Sequence, residues 1–345
     1  MKIGDKMKVL LHSDKLELIE KSGVGRAIKH QMRALELNNI PYTLDPNDDY
    51  DIIHINTIFP ESYLMGKKVK KMGKKVIYHA HSTEEDFRNS FILSNQVAPL
   101  FKNWLKKCYS SADLVITPTP YAKRLLDNYD LGKEIVAISN GIDLEFFKRD
   151  EELGKKFRKE FGFSENDKIV MAVGLFIERK GIIDFVELAK RHPEYNFIWF
   201  GYTNLNTVPH KVREAVETKL DNLYFPGYVP SDILKGAYSG ANLFIFPTFE
   251  ETEGIVLLEA LAMKIPVLVR DIPIYEGWLE DGVNLYKAKD LEEFDKKISD
   301  ILEGRLPSLV EEGYIVAKER DIKNIGKQLK QVYERVLNNS EINIK

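Results

Sequence analysis

Phe246-Pro247-Thr248-Phe249-Glu250-Glu251-Thr252-Glu253-Gly254-Ile255-Val256-Leu257-Leu258-Glu259-Ala260 reads as the end of a β-strand, a loop dense in carboxylates, and the first turns of a helix. Glycine at position 254 lets a ligand come close to the backbone, and the unpaired N–H groups and dipole of the helix start beyond it make a place for a phosphate oxygen. Working outward, the same order recurs. A strand at Ile169–Val173, a helix at Ile182–Arg191, strands at Asn196–Phe200 and Leu223–Phe225, a helix at Ser231–Tyr238 and a strand at Leu243–Phe246 precede the loop. The helix Ile255–Met263 and the strand Val267–Val269 follow it. The first half of the chain alternates in the same way: Lys8–His12 then Ala27–Leu37, Ile52–Asn56 then Ser62–Met72, Lys75–His79 then a long helical segment to Tyr109, Leu114–Thr117 then Tyr121–Asn128, and Ile135–Ile138.

Short β-branched runs separated by helical stretches require parallel sheets covered by crossover helices, and the absence of strict polar alternation fits strands buried on both faces. The charged, strand-poor stretch Leu144–Lys168 divides the two series. A last helix, about Lys318–Leu337, carries Ile322, Ile325, Leu329, Val332, Tyr333 and Val336 at helical spacing, an apolar stripe that something must cover. The expected organisation is α/β: a domain over residues 1–150, a second over 151–317, and a C-terminal stretch, 318–345, whose helix packs back on the first.

A chain of 345 residues exceeds what one hydrophobic core usually supports, so two domains and a cleft are expected. With 44% hydrophobic and 30% charged residues it has the composition of an ordinary globular protein. Its net charge of −3 argues against a general nucleic-acid binder. Residues 1–150 carry 23 Lys and Arg against 20 Asp and Glu, and the rest 27 against 33, so an anionic partner is expected on the first half. The one cysteine, Cys108, cannot close an intramolecular disulfide, and a cytosolic address is expected. Met1 to Leu11 has no long apolar core, and no stretch reaches the length of a membrane span.

Glu251 and Glu259 stand eight positions apart, roughly 12 Å on a helical rise, the scale separating a nucleotide's ribose from the sugar beyond its diphosphate. Taken singly, Glu251 and Glu253 read as helix-start charges and Glu259 as a solvent-facing residue. Glu259, however, sits within the run Val256-Leu257-Leu258-Glu259-Ala260-Leu261-Ala262, and a buried carboxylate needs a partner.

This segment, followed by Ile265-Pro266-Val267, resembles the E-x7-E signature of retaining GT-B-type glycosyltransferases of family 4. The resemblance implies a GT-B fold of two Rossmann-like domains and places Glu251 beside the donor hexose. It also gives the diphosphate to the amides of Gly254, Ile255 and Val256, and the ribose hydroxyls to Glu259. Thr252 and Glu253 depart from the family's usual E-G-F-G. Gly174-Leu175-Phe176-Ile177-Glu178-Arg179-Lys180-Gly181 is similar to the family's G-R-x4-K-G loop, so that Lys180 clamps the leaving diphosphate. Leu175 stands where the family has arginine, and Arg179 supplies the missing charge; a solvated basic turn is the plainer alternative. Ser22-Gly23-Val24-Gly25-Arg26, ahead of a helix, corresponds to the loop that closes over the donor phosphates, although a plain tight turn needs the same residues. Tyr228 and Val229, at a strand end, correspond to backbone contacts with uracil, and His81, in Tyr78-His79-Ala80-His81, to the histidine that touches the transferring sugar.

Two metal readings are set aside. Strand alternation is expected to point His79 and His81 to opposite faces. Asp49-Tyr50-Asp51 lies in an acidic turn that turn chemistry explains. The expected cofactor set is therefore empty, with UDP-glucose or UDP-galactose as donor substrate and no metal.

Between Leu64 and Lys107 there are ten Lys or Arg and three acidic residues, with Phe101 and Trp104 among the lysines. That pattern suits an anionic membrane surface, and equally a soluble helix with a solvated lysine face. The segment Glu20–Gln31, with His79–Asp86, further resembles bacterial enzymes that add the second hexose to glucosyldiacylglycerol. The expected acceptor is a monoglucosyldiacylglycerol-type glycolipid at the cytoplasmic face of the membrane. The rivals are a soluble or polysaccharide acceptor, a phosphorylase on the same fold, and a non-catalytic nucleotide-sugar-binding module.

Overall fold

The computed structural model describes residues 7–14 and 22–338. They divide into two compact units. The first holds the described residues up to Glu84, Val97–Asp143 and those from Arg320; the second holds Glu85–Gln96 and Leu144–Glu319.

The first unit is a parallel sheet of β1 (Val9–His12), β2 (Tyr42–Thr43), β3 (Ile52–Ile55), β4 (Lys75–His79), β5 (Leu114–Thr117) and β6 (Ile135–Ala137), in the order β2-β1-β3-β4-β5-β6. Side chains from β1, β3, β4 and β5 are buried on both faces, as the unbroken apolar runs require. The helix Ile322–Asn338 buries the whole anticipated stripe, from Ile322 to Val336, and packs against the helix Gly23–Leu37. Gly326 makes that approach possible, because a Cβ there would overlap the Ala34 carbonyl and the Asn38 side chain. The expected start at Lys318 is corrected. One helix ends at Glu319 and a second begins at Ile322, with Asp321 accepting from the Lys323 N–H at 2.8 Å to start it.

The second unit is the parallel sheet of β7 (Ile169–Val173), β8 (Asn196–Phe200), β9 (Leu223–Gly227), β10 (Leu243–Phe246), β11 (Val267–Arg270) and β12 (Tyr286–Ala288), in the order β12-β11-β10-β7-β8-β9. Its first helix, Glu151–Glu160, is capped by Asp150, which accepts from the N–H groups of Glu152 and Leu153 at 3.0 Å. This helix lies close on Ser231–Gly240 because Gly154, Gly236 and Gly240 present bare backbone to each other's helix.

The long helix expected up to Tyr109 is broken. One turn, Glu84–Phe87, is followed by an irregular stretch in which Asn89 (φ 55) and Leu93 (φ 64) are left-handed, and the helix Ser94–Tyr109 begins after it. The strands Tyr42–Thr43 and Tyr286–Ala288 and the helices His210–Glu217 and Leu291–Leu302 are further elements, too short or too polar to stand out in the sequence.

Candidate donor-sugar site

In the second sheet β7 and β10 are neighbours from which the chain winds away in opposite directions. In open α/β sheets ligands bind beyond the carboxyl ends of the strands at such a reversal. The two loops that leave those ends are Gly174–Gly181 and Pro247–Gly254, the same two that the sequence singles out.

The loops are bonded into one body. Phe249 N–H donates to the Arg179 carbonyl at 2.8 Å, and the buried Thr248 hydroxyl donates to it at 3.2 Å. Gly181 is left-handed (φ 79), and a Cβ on it would overlap the Pro247 carbonyl, so only glycine allows the loops to lie this close. Arg270, at the end of β11, donates through Nε to Pro247 O at 3.0 Å, pairs with Asp184, and lies 3.9 Å from the centre of the Phe249 ring. Sequence reading missed Arg270; its only signal is a charged residue closing an apolar strand.

Within this frame Lys180 forms an ion pair with Glu251, and Arg179 Nη1 lies 4.0 Å from Glu251 Oε2. Arg179 also donates to Glu250 O at 2.6 Å and to Ser90 Oγ at 3.2 Å, so its guanidinium is held mainly by the loops themselves. Burial, then the Arg179 charge, pushes the Lys180 pKa well below its ordinary value. Burial lowers Arg179 as well.

Gly254 is left-handed (φ 83) and opens the helix Ile255–Ala262, which no side chain caps. A Cβ at Gly254 would lie 2.9 Å from the Phe246 ring. The N–H groups at Ile255 and Val256 thus head a helix start without a capping side chain, an arrangement that favours a bound anion. Glu259 is fully buried, and Tyr238, unnoticed in the sequence, donates to its Oε2 at 3.0 Å and to Val256 O at 3.2 Å. The solvent-facing alternative for Glu259 is thereby excluded. The 12 Å spacing needs correction: only the interval from Ile255 is helical, so a helical rise does not measure the separation from Glu251. Tyr228 and Val229 follow the end of β9, two strands from β7.

The remaining candidates belong to the first unit. Gly23 and Gly25 lie inside the first turn of the helix Gly23–Leu37 rather than ahead of it, and Ser22 caps that turn by accepting from Gly25 N–H at 3.4 Å. Glu20 and Lys21 lie outside the described residues. His79 and His81 do not point to opposite faces. Residues two apart on a strand share a face, and the rings stack with centres 4.1 Å apart. His81 Nε2 lies 3.0 Å from Asn56 Oδ1, and Asn56 and Gln31 exchange amide hydrogen bonds at 2.9 and 3.0 Å. Gln31 Nε2 reaches His79 Nδ1 at 2.8 Å, and His54 Nδ1 reaches the Tyr333 hydroxyl at 2.7 Å. Burial holds His54 and His81 at a pKa of about 3, so they act as neutral hydrogen-bonding rings. Beyond β1 and β3, Asp14 takes a hydrogen bond from Ser62 at 2.6 Å and lies 3.3 Å from His12 Nε2, a polar cluster the sequence did not flag. Among the described residues there is no group of three or more His, Cys, Asp or Glu set to hold a metal, and no helix long and apolar enough to cross a membrane.

Comparison with known proteins gives the family and the fold. The family model described as "Glycosyl transferases group 1" matches residues 154–329, and that described as "Glycosyltransferase Family 4" matches 24–146. The chain is 45% identical over 334 residues to the processive diacylglycerol alpha-glucosyltransferase of Acholeplasma laidlawii, covering 96% of this chain and 99% of that one. It is 27% identical over 260 residues to the alpha-galactosylglucosyldiacylglycerol synthase of Streptococcus pneumoniae, covering 74% and 67% respectively. Among solved structures, sucrose-phosphate synthase from Thermosynechococcus elongatus has a TM-score of 0.78 at 18% identity over 97% of this chain and all of that one. Anabaena Alr3699/HepE in complex with UDP and glucose has a TM-score of 0.72 at 17% identity, covering 95% and 99%. Both share the fold, and the GT-B class stands.

Proposed function

This chain belongs to the group 1 glycosyltransferases, and from that premise we propose that it moves a hexose, glucose or galactose, from UDP to a diacylglycerol-based glycolipid acceptor at the inner face of the membrane. The observation that carries the reading is the convergence of Lys180, Arg179, Glu251, the uncapped helix start at Gly254 and the buried Glu259 on the loops at the sheet's reversal. Two relatives named for diacylglycerol glycolipids, one of them matched along its full length, support the acceptor class.

In this reading Glu259 holds the ribose, the N–H groups at Ile255 and Val256 and the Lys180 ammonium take the diphosphate, and Glu251 and His81 orient the hexose. Tyr228 and Val229 pack against uracil, and the Gly23–Gly25 turn belongs to the phosphate-binding set. As the bond from the anomeric carbon to the phosphate oxygen breaks, positive charge grows on the sugar and negative charge on the phosphate. A preorganised cation and peptide dipoles stabilise the second, and the Glu251 carboxylate the first. In the mechanism proposed, no side chain acts as nucleophile: the acceptor hydroxyl attacks the face the phosphate leaves, its proton passing to a phosphate oxygen, and configuration is retained. Lys180 and the helix start supply the charge that a metal would otherwise bring, so none is required.

The test is mass spectrometry of products from UDP-glucose and UDP-galactose, each offered with diacylglycerol and with glucosyldiacylglycerol. Hexoses per product are counted, since the relative matched along its length is named processive. Addition to a lipid acceptor is expected. Transfer only to soluble saccharides, or UDP binding without turnover, contradicts the reading.

A further inference from the structure

In the apolar stripe of the helix Ile322–Asn338 only Tyr333 carries a polar atom. Tyr333 is fully buried, and its hydroxyl lies 2.7 Å from His54 Nδ1 of β3, with no other hydrogen-bond partner among the described residues. From there a run of polar side chains crosses the first unit. His54 Nε2 lies 3.2 Å from His79 Nδ1, which is also 2.8 Å from Gln31 Nε2. The Gln31 and Asn56 amides are paired, and Asn56 Oδ1 lies 3.0 Å from His81 Nε2. All six residues belong to that unit, and His54, His79, Gln31 and Asn56 are at most 3% exposed.

Burial fixes the protonation states. It holds the His54 and His81 pKa values at about 3 and that of His79 well below the ordinary value, so each ring is neutral and carries one hydrogen. It raises that of Tyr333, so the phenol keeps its proton. The rings are also stacked, His54 on His79 at 5.3 Å and His79 on His81 at 4.1 Å between centres.

One hydrogen per ring makes the chain directional. If Tyr333 donates to His54 Nδ1, His54 carries its hydrogen on Nε2 and donates to His79 Nδ1. That bare nitrogen also accepts from the Gln31 amide, whose nitrogen donates in turn to Asn56 Oδ1. The same oxygen accepts from His81 Nε2–H, which leaves His81 Nδ1 an acceptor. The reverse order starts with His54 Nδ1–H donating to the phenol oxygen, flips both amides, and moves the His81 hydrogen to Nδ1. Among the described residues the first order leaves one buried atom of the chain unpaired, the His79 Nε2 hydrogen. The reverse leaves two, the phenol hydrogen and the His79 Nε2 lone pair. Unpaired buried polar atoms are destabilising, so the first order prevails.

We propose that Tyr333 is a positioning residue for His81: through His54, His79, Gln31 and Asn56 its single proton holds His81 as the Nε2–H tautomer. The proposal rests on the reading in which His81 orients the hexose, and it gives that contact a sense. Nδ1 accepts a hydrogen from a sugar hydroxyl and does not donate one. A network that only tied the helix to the sheet would use the same bonds, and the experiment separates the two roles.

The experiment reads the tautomers by nitrogen NMR of histidine-labelled protein at neutral pH, in the wild type, in Tyr333→Phe and in Gln31→Met. The last cuts the chain nearer its end, so the test does not depend on Tyr333→Phe folding. Transfer kinetics of Tyr333→Phe, His81→Gln and the double variant run in parallel. Wild-type His54 and His81 are expected as Nε2–H forms, with the His81 signal moving toward a mixture of forms in either chain variant. The kcat of Tyr333→Phe is expected to fall about fivefold, the fold-change of one neutral hydrogen bond, with donor KM and UDP affinity little changed. Added to His81→Gln, the same substitution is expected to cause no further fall. A wild-type His81 hydrogen on Nδ1, a His81 tautomer unmoved in the folded variants, or an equal fall in both backgrounds overturns the proposal. If the wild type transfers no hexose, the reading of His81 as a sugar ligand fails while the spectra still decide what sets its tautomer.

Discussion

Lys180 and Glu251 form an ion pair inside the second unit, on two loops that only the absence of a side chain at Gly181 lets come together. In the function proposed here, this cation and carboxylate become a phosphate ligand and a sugar ligand once a donor separates them. Lys180→Ala is expected to lower kcat by about a hundredfold or more with a smaller change in donor KM, because its charge matters most when the phosphate gains charge. Steady-state kinetics with Lys180→Ala and Glu251→Gln check this, and wild-type turnover in the lysine variant contradicts the assignment.

The lowered Lys180 pKa sets a direction in pH. A bound diphosphate favours the ammonium, so donor binding takes up a proton wherever the free lysine has lost it. Donor kcat/KM is then full below the free enzyme's Lys180 pKa and falls as pH rises through it, at a pH below the ordinary lysine range. A pH profile that keeps its basic limb unmoved in Lys180→Arg assigns that limb to another group.

Arg270 holds Pro247 and Phe249 of the loop ahead of Glu251. Arg270→Lys keeps a charge near Asp184 but loses the planar contact and one donor direction, and is expected to lower kcat several-fold while donor affinity changes little. Equal kcat in the variant would show that the loop needs no such support.

The histidines of the first unit make its stability acid-sensitive. His30, donating to Gly141 O at 2.8 Å, is pushed down to about 4 by burial, whereas an unfolded histidine titrates near 6.5. The unfolded chain therefore takes up the proton first. Stability is full above about pH 6.5 and is lost as pH falls toward 4, by roughly 3 kcal/mol for this residue alone. Thermal unfolding at pH 7.5 and 5.0 of wild type and His30→Gln should show the smaller loss in the variant; equal losses count against a titrating His30.

Periodicity and β-branched runs gave the alternation of both sheets, because strands buried on two faces and amphipathic helices leave strong local patterns. The short edge strands Tyr42–Thr43 and Tyr286–Ala288 carry too few residues for a pattern. The two loops at the sheet's reversal could be singled out beforehand because the residues that resemble the family motifs, Glu251, Gly254 and Glu259 in one and Lys180 in the other, lie close together in sequence. Tyr238 and Arg270 were not, since what defines them is a partner reached through the fold: Glu259 twenty-one residues from Tyr238, and Pro247 twenty-three from Arg270. The passage of Glu85–Gln96 into the second unit had no sequence signal, because Asn89 and Ser90 acquire their role only by meeting Arg179.

Calorimetric titration of UDP into the wild type and into Glu259→Ala tests the central claim, that the loop from Phe246 into the helix Ile255–Ala262 holds the nucleotide. One-to-one binding by the wild type, weakened about tenfold or more in the variant while its unfolding stays cooperative, is the expected result. Absence of UDP binding by the wild type, or equal affinity in a folded Glu259→Ala, contradicts it.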